Sequence, residues 1–247
     1  MKLFFAMAAL VLTSCAPLPI SSGAPGGTAL DLPPMLSFTG ASPQPPARAN
    51  SEIAQDFLDL VFRMESGRAI PTMTRFEGEI TVGVQGDIPA SLLPDLDALL
   101  GRLRGEAGLN IHRISGSTAA ITIHTIPQAV LNRAVPQAAC FVVPRISSWQ
   151  EFERLRRSPQ VDWTTLTRRD RAAIFIPSDA APQEIRDCLH EELAQALGPL
   201  NDLYRLPDSV FNDDNIHAVL TGFDMLILRA YYAPELRNGM SRGETAA

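Results

Sequence analysis

Apolar residues recur at helical spacing in four stretches of the chain. The first begins near Ser51 and the next covers residues 94–104. A short charged stretch at 149–157 and a strongly patterned one at 182–197 follow. Since side chains three and four positions apart share one face of a helix, each stretch predicts an amphipathic helix with one buried side.

A second pattern, typical of strands, lies between these helices. Residues 78–84 alternate between apolar and small or polar side chains. Short apolar runs at 109–114, 119–126, 140–143 and 172–177 are bounded by turn-forming residues. Strands interleaved with helices in this order predict an α+β domain, with a single twisted mixed sheet packed against helices.

The first 14 residues have the composition of an export signal. Lys2 precedes an apolar run at 3–12, which is too short to anchor a protein in a bilayer but suits a secretory signal. The run ends in Leu-Thr-Ser-Cys at 12–15, the pattern of a bacterial lipobox. We therefore expect a lipoprotein whose Cys15 receives the lipid, held at the membrane by that lipid and facing the periplasm.

Residues 15–49 resemble a tether rather than a folded domain. Eight prolines and four glycines lie within 16–49, with few charges. Such a composition cannot bury enough apolar surface to offset the entropy of ordering. The prediction is a lipidated, disordered tether over 15–49 and one globular domain over 50–247.

The net charge argues against one class of partner. Signal cleavage would remove only Lys2 of the 21 basic residues, which leaves 27 acidic residues and changes the net charge from −6 to −7. An acidic chain without a basic stripe is a poor candidate for binding nucleic acid. The expected partners are the membrane, through the lipid, and an unknown envelope protein or peptide.

The three cysteines fit an oxidising compartment. If Cys15 carries lipid, Cys140 and Cys188 remain as an even pair. In a periplasm these two should form a disulfide, and the alternative is a pair of buried free thiols.

The helix at 182–197 carries the residues with the most chemistry. His190-Glu191 begins an H-E-x-x-H zinc motif, but Ala194 stands where the second histidine should be. Helical geometry places Glu191, Glu192 and Gln195 on one face and His190 away from it, so His190 is expected at the surface or in helix packing. None of the other three histidines has ligand spacing, and His124 is expected on a polar strand face.

Shifted by one residue, the same helix shows a longer pattern. Glu191-Glu192-x-x-Gln195-x-x-Gly198-x-x-Asn201 has the spacing of the extended zinc motif H-E-x-x-H-x-x-G-x-x-H. In that motif two ligands lie one helical turn apart, a glycine allows the chain to reverse, and a third ligand follows.

This pattern, with its downstream features, resembles a degenerate member of the metzincin metallopeptidases. Ser209-Val210-Phe211-Asn212 is similar to the methionine turn of that family, with Phe211 in place of Met. The segment 220–232 is similar to the last helix of those enzymes, and Thr221 and Asp224 have the spacing of a capping box at its start. The chain is also similar to a bacterial family of lipoproteins, domain of unknown function 2927. The residues that carry this likeness are Glu191-Glu192, Gln195 to Gly198, Asn201-Asp202, Ser209 to Phe211 and the stretch 236–240.

The resemblance implies a zincin fold without its zinc ligands. Glu191, Gln195 and Asn201 replace the three histidines, and amide oxygens are weak ligands for zinc. No cofactor and no metal site are therefore expected. The first hypothesis is a non-catalytic module that binds an envelope component in a cleft lined by Glu191, Gln195, Asn201 and Asp202.

Two other readings of the same residues remain open. Glu192 with Glu191 could form the carboxylate pair of a peptidase-like envelope hydrolase, working without metal or with a weakly bound hard cation. The plainer reading is a solvated helix face followed by a polar turn.

Overall fold

A computed structural model describes residues 48–116, 118–212 and 217–247. The proposed signal, Cys15 and nearly all of the tether lie outside the described residues. No helix of the described part is both long and apolar enough to cross a membrane.

Seven helices and five strands make up the described part of the domain. In chain order they are α1 (Asn50–Val61), β1 (Ile80–Gly86), α2 (Leu92–Glu106), β2 (Ile111–Arg113), β3 (Ile121–Ile126), α3 (Gln128–Ala134), β4 (Phe141–Pro144), α4 (Trp149–Leu155), β5 (Ala172–Pro177), α5 (Pro182–Leu197), α6 (Gly222–Tyr231) and α7 (Arg242–Thr245). Two short 3-10 turns, Pro159–Val161 and Trp163–Thr165, lie between α4 and β5. The predicted α+β class with one mixed sheet is confirmed.

The strands form one sheet in the order β2-β1-β3-β5-β4. Every neighbouring pair is parallel except β4 with β5, which is antiparallel. The antiparallel strand therefore forms one edge of an otherwise parallel sheet, as is common in mixed sheets.

Strand β5 is buried on both faces of the sheet, and this explains why its sequence has no polar position. Ile174 and Ile176 point into the large core that contains α1, α2, α5 and α6. Ala173 and Phe175 point to the opposite face, into a smaller core with Leu131 of α3 and others. Because side chains alternate along a strand, a strand covered on both sides must be apolar throughout.

Helix α5 crosses the first of these faces and is fixed there by polar and apolar contacts. Its predicted apolar stripe is buried, including Leu189 and Leu193. Arg186 forms an ion pair with Asp95 of α2, with Nε 3.0 Å from Oδ2, and both side chains are buried. Such a pair is costly to break because one charge would be left buried alone.

Two of the histidines, His124 and His190, lie in the interior. His190 is fully buried and its Nδ1 accepts a hydrogen bond from the Leu220 amide at 3.1 Å, so a surface position for His190 is wrong and helix packing is correct. His124 lies against the Phe175 ring under α4, with Nε2 2.7 Å from the Ser147 carbonyl oxygen. His124 was misplaced because a polar face of a strand can still be covered by another element.

Candidate functional site

A cleft of about 420 Å³ lies between the start of β4 and helix α5. Three carboxylates line it, namely those of Glu65, Glu191 and Glu192, together with the amide of Gln195. Its other lining residues are mostly apolar or small, and they include Met64, Ala138, Ala139, Phe141, Val142, Trp163 and Leu200. Apolar walls with a few convergent polar groups are typical of ligand sites.

The polar face of α5 supplies one wall, as helical spacing predicted. Glu191 and Gln195 are one turn apart, and the Gln195 Nε2 donates to Glu191 Oε1 at 3.3 Å. The same amide nitrogen donates to Glu65 Oε1 at 2.6 Å, which ties the helix to the segment after α1. Glu192 also lines the cleft although only 4% of its surface is exposed.

Strand β4 supplies the opposite wall, and its hydrogen-bonding direction follows from the ladder. The Ala172 amide of β5 donates to the Ala120 carbonyl oxygen, next to β3. Because backbone groups alternate in direction along a strand, the N–H and C=O groups of Ala173 and Phe175 must face β4. Their partners in register are Val143 and Phe141. Alternation then turns the N–H and C=O of Val142 away from β5, toward the side that borders the cleft.

Two observations agree with this direction. The Arg145 amide donates to the Arg171 carbonyl oxygen at 2.7 Å, which continues the same alternation by two residues. The backbone of Pro144 points the same way as that of Val142. Since proline has no N–H to donate, it is found in a strand only where that side has no partner strand. Outside β5, no residue of the described ranges hydrogen-bonds to the Val142 backbone. Among the described residues, the strand edge that borders the cleft therefore has no partner strand at Val142.

A disulfide joins the two walls. Cys140 immediately precedes β4 and is bonded to Cys188 of α5, with the Cα atoms 5.9 Å apart. This confirms the predicted pairing. Because Cys140 itself lines the cleft, the bond fixes the distance between the strand edge and the helix that carries Glu191 and Glu192.

The second half of the predicted ligand motif lies elsewhere. Asn201 is buried, and its Nδ2 donates to the Asp59 carbonyl oxygen of α1 at 2.9 Å. Neither Asn201 nor Asp202 lines the cleft as the spacing had suggested. The chain after α5 runs back along α1, where the Asn201 side chain is held.

Gly198 is needed at the end of α5 for a packing reason. A Cβ at this position would lie 3.0 Å from the Tyr231 ring of α6, closer than side-chain atoms normally approach. The glycine lets the last turn of α5 contact the aromatic ring directly.

The downstream features form a rigid buried support. Asp224 caps α6 as predicted, with its Oδ2 2.7 Å from the Thr221 amide, and it also accepts from the Ser209 hydroxyl at 2.5 Å. Burial raises the pKa of the Asp224 carboxyl, an effect opposed by these hydrogen bonds. Phe211, at the methionine position of the resemblance, is buried in the main core.

Sequence reasoning missed the residue that terminates α5. Arg169 is buried, and its guanidinium donates to the carbonyl oxygens of Gln195, Ala196 and Gly198 at 2.6–2.7 Å. Its Cζ also lies 4.7 Å from the centre of the Trp163 ring, a cleft residue. A cation at the C-terminus of a helix satisfies orphan carbonyls and complements the helix dipole. Its position in an arginine-rich loop gave no signal of this.

No group of three or more His, Cys, Asp or Glu side chains within 48–116, 118–212 and 217–247 is arranged to hold a metal ion.

The chain matches a known protein family. The model of the family described as a protein of unknown function (DUF2927) matches residues 50–247. The chain belongs to this family. No curated protein matches it. The family covers the whole predicted globular domain but assigns it no activity.

Proposed function

We propose that this protein is a lipid-anchored module of the cell envelope that binds an extended peptide segment in the cleft between β4 and α5. The open edge of β4 at Val142 carries the proposal. An edge strand with unpaired backbone groups can accept a further strand, which gains affinity from main-chain hydrogen bonds and specificity from nearby side chains.

The anchor part of this proposal rests on the sequence. The lipobox ending in Cys15 and the proline-rich stretch to residue 49 would hold the cleft at some distance from a membrane surface.

A metzincin-like fold is part of the same proposal. An antiparallel edge strand faces the helix that carries the degenerate motif, and Gly198, the turn at Ser209 and helix α6 follow in the expected order. The substituted positions favour binding over zinc chemistry. Gln195 and Asn201 use their amide nitrogens as donors to Glu65 and Asp59, which are structural contacts.

A second candidate is the envelope hydrolase, favoured by Glu191 and Glu192 lying in one cleft. Paired carboxylates can divide acid and base roles when their environments differ. Comparing wild type and Glu192→Gln for hydrolysis of peptide and cell-wall substrates tests it. Faster hydrolysis by wild type supports a hydrolase, and equal signals eliminate it.

The binding proposal is tested by removing one N–H. Mature full-length protein in detergent is immobilised and exposed to a pool of blocked random octapeptides, and retained peptides are quantified by mass spectrometry. Val142→Pro deletes the outward N–H, whereas Val142→Ala keeps it. We expect Val142→Pro to retain about tenfold less peptide, roughly the value of one unmade hydrogen bond. Val142→Ala should stay close to wild type.

Thermal unfolding checks that Val142→Pro still folds, as an outward edge position should allow. Equal retention by a folded Val142→Pro variant and wild type would contradict the proposal, as would no retention above a protein-free support.

A further inference from the structure

The part of the domain that contains α3 and α4 differs in charge from the rest. We infer that its surface docks on the anionic phosphate groups of the membrane that holds the lipid anchor. This inference goes beyond peptide binding in the cleft. It rests on the proposed anchor at Cys15, because that anchor would keep the domain beside a membrane.

The charge of the domain is divided unevenly along the chain. Residues 127–171, which contain α3, β4 and α4, hold eight arginines and four acidic residues, a net charge of +4. The rest of residues 50–247 holds 11 arginines and 22 acidic residues, a net charge of −11. The negative charge of the whole chain therefore conceals a basic segment.

This division follows the two sides of the sheet. Leu131 of α3 and Phe152 of α4 pack in the smaller core, whereas α1, α2, α5 and α6 pack in the large core on the opposite face. At physiological ionic strength the Debye length is about 8 Å, so charges on the far side of a domain are largely screened. A membrane beside α3 and α4 would therefore interact mainly with the basic side.

Four exposed arginines form the basic surface of this side, which we call the arginine face: Arg133, Arg154, Arg156 and Arg157. Arg156 Nη1 donates to the Ala134 carbonyl oxygen at 3.0 Å, which brings the residues after α4 beside the end of α3. The Arg154 side chain is 70% exposed. Among the described residues, Arg133, Arg156 and Arg157 form no ion pair.

The carboxylates of α4 offset only part of this charge. Glu151 accepts a hydrogen bond from the Ser147 amide at 2.8 Å and lies 3.8 Å from Arg171 Nη2. Glu153 is exposed on α4, next to Arg154 in sequence. The arginine face and Arg171 together therefore exceed these two carboxylates by three positive charges.

Arginine is well suited to binding phosphate at a surface. Its planar guanidinium presents a fork of N–H donors that matches phosphate oxygens, and it loses little hydration on binding. Each arginine near an anionic membrane contributes only a weak attraction. The tether would compensate for this, since a coil of its length reaches roughly 30 Å and gives the domain a high effective concentration at the surface. It would allow both a docked and an undocked position.

The test measures the chemical modification of individual arginines at the membrane. The mature lipidated protein is reconstituted into vesicles of phosphatidylcholine, alone or with about one third phosphatidylglycerol. Butanedione modifies exposed arginines, and mass spectrometry quantifies each site. In the anionic vesicles, Arg133, Arg154 and Arg157 should react about threefold more slowly than in phosphatidylcholine. Arg63 and Arg237, exposed outside this segment, should react equally in both. The protection should disappear as salt is raised.

A pair of double variants provides the matched control. Arg154→Gln with Arg157→Gln should abolish the protection of Arg133, whereas Arg63→Gln with Arg237→Gln removes the same charge and should preserve it.

Equal modification of the arginine face in both kinds of vesicle would overturn this inference and leave the peptide-binding proposal intact. Equal protection of Arg63 and Arg237 would also overturn it, because any exposed arginine would then respond. Protein that remains with neither kind of vesicle would overturn both this inference and the lipid anchor.

Discussion

The segment from Glu191 to Asp202 has two halves that both supply positions of the ligand-like pattern but lie in different places in the molecule. The helical half, Glu191 to Gln195, lines a cleft opposite an open strand edge. The half after Gly198 packs along α1 and directs Asn201 to a backbone carbonyl. Ligand-like spacing therefore brings side chains together on a helix next to a cleft, but it does not do so in a chain that turns away from the cleft.

The largest expected effect concerns the bond that holds the cleft half in place. Cys140→Ala with Cys188→Ala removes a cross-link between residues 48 positions apart. The chain-entropy model gives a loss of about 4 kcal/mol in the free energy of unfolding. Urea unfolding measures it, and peptide retention should fall in parallel because β4 is no longer fixed to α5. Unchanged retention in a folded double variant would show that the cleft does not depend on the bond.

The next effect lies at the junction of the two halves. Arg169→Met keeps an apolar side chain but leaves three buried carbonyl groups without their donor. We expect the free energy of unfolding to fall by about 3 kcal/mol. Arg168→Met is the neighbouring control, because the Arg168 side chain is 67% exposed and should change stability by less than about 0.5 kcal/mol. Similar losses in the free energy of unfolding for both variants would show that Arg169 does not stabilise the end of α5.

His190, next to the helical half on α5, should make the stability of the protein depend on pH. Burial, with a smaller effect of Arg102 and Arg186, lowers the pKa of His190 to about 3. The unfolded chain therefore binds this proton first, and the native state loses stability as pH falls below about 6.5. Between pH 7 and pH 5 this group should cost about 2 kcal/mol.

His190→Gln keeps an acceptor for the Leu220 amide and has no titrating group there. Urea unfolding at both pH values should show a smaller loss for this variant than for wild type. An identical pH dependence would mean that His190 is not held neutral in the folded protein.

The smallest effect separates the two halves directly. Asn201→Ala removes a buried hydrogen bond and should lower the free energy of unfolding by about 1 kcal/mol, while peptide retention is unchanged. Glu191→Gln changes a cleft residue and should do the opposite, with a stability change within about 0.5 kcal/mol and weaker peptide retention. Loss of retention in Asn201→Ala would place the loop half in the site after all.

The sequence predicted correctly the elements whose apolar pattern covers their whole length. Strand β5 and helix α5 have the bounds that their patterns indicated. Helix α3 was missed because it has only seven residues, of which Leu131 alone is buried, so no apolar stripe is visible.

For the site, local spacing predicted which residues share a helix face but could not show what lies opposite. Placing Val142 at an open edge requires the strand order, and the hydrogen bonds of Arg169 require the end of α5 to be located in space. Both depend on contacts between residues far apart in the chain.

The most direct measurement of the central claim is amide hydrogen exchange at β4, with and without the octapeptides that the protein retains. In the free protein, the Val142 amide should exchange rapidly and the Val143 amide slowly, because only the latter faces β5. With peptide present, exchange at Val142 should slow by at least about tenfold while Val143 is unaffected. A Val142 amide that is already protected in the free protein, or one that stays unprotected with peptide bound, would contradict the account.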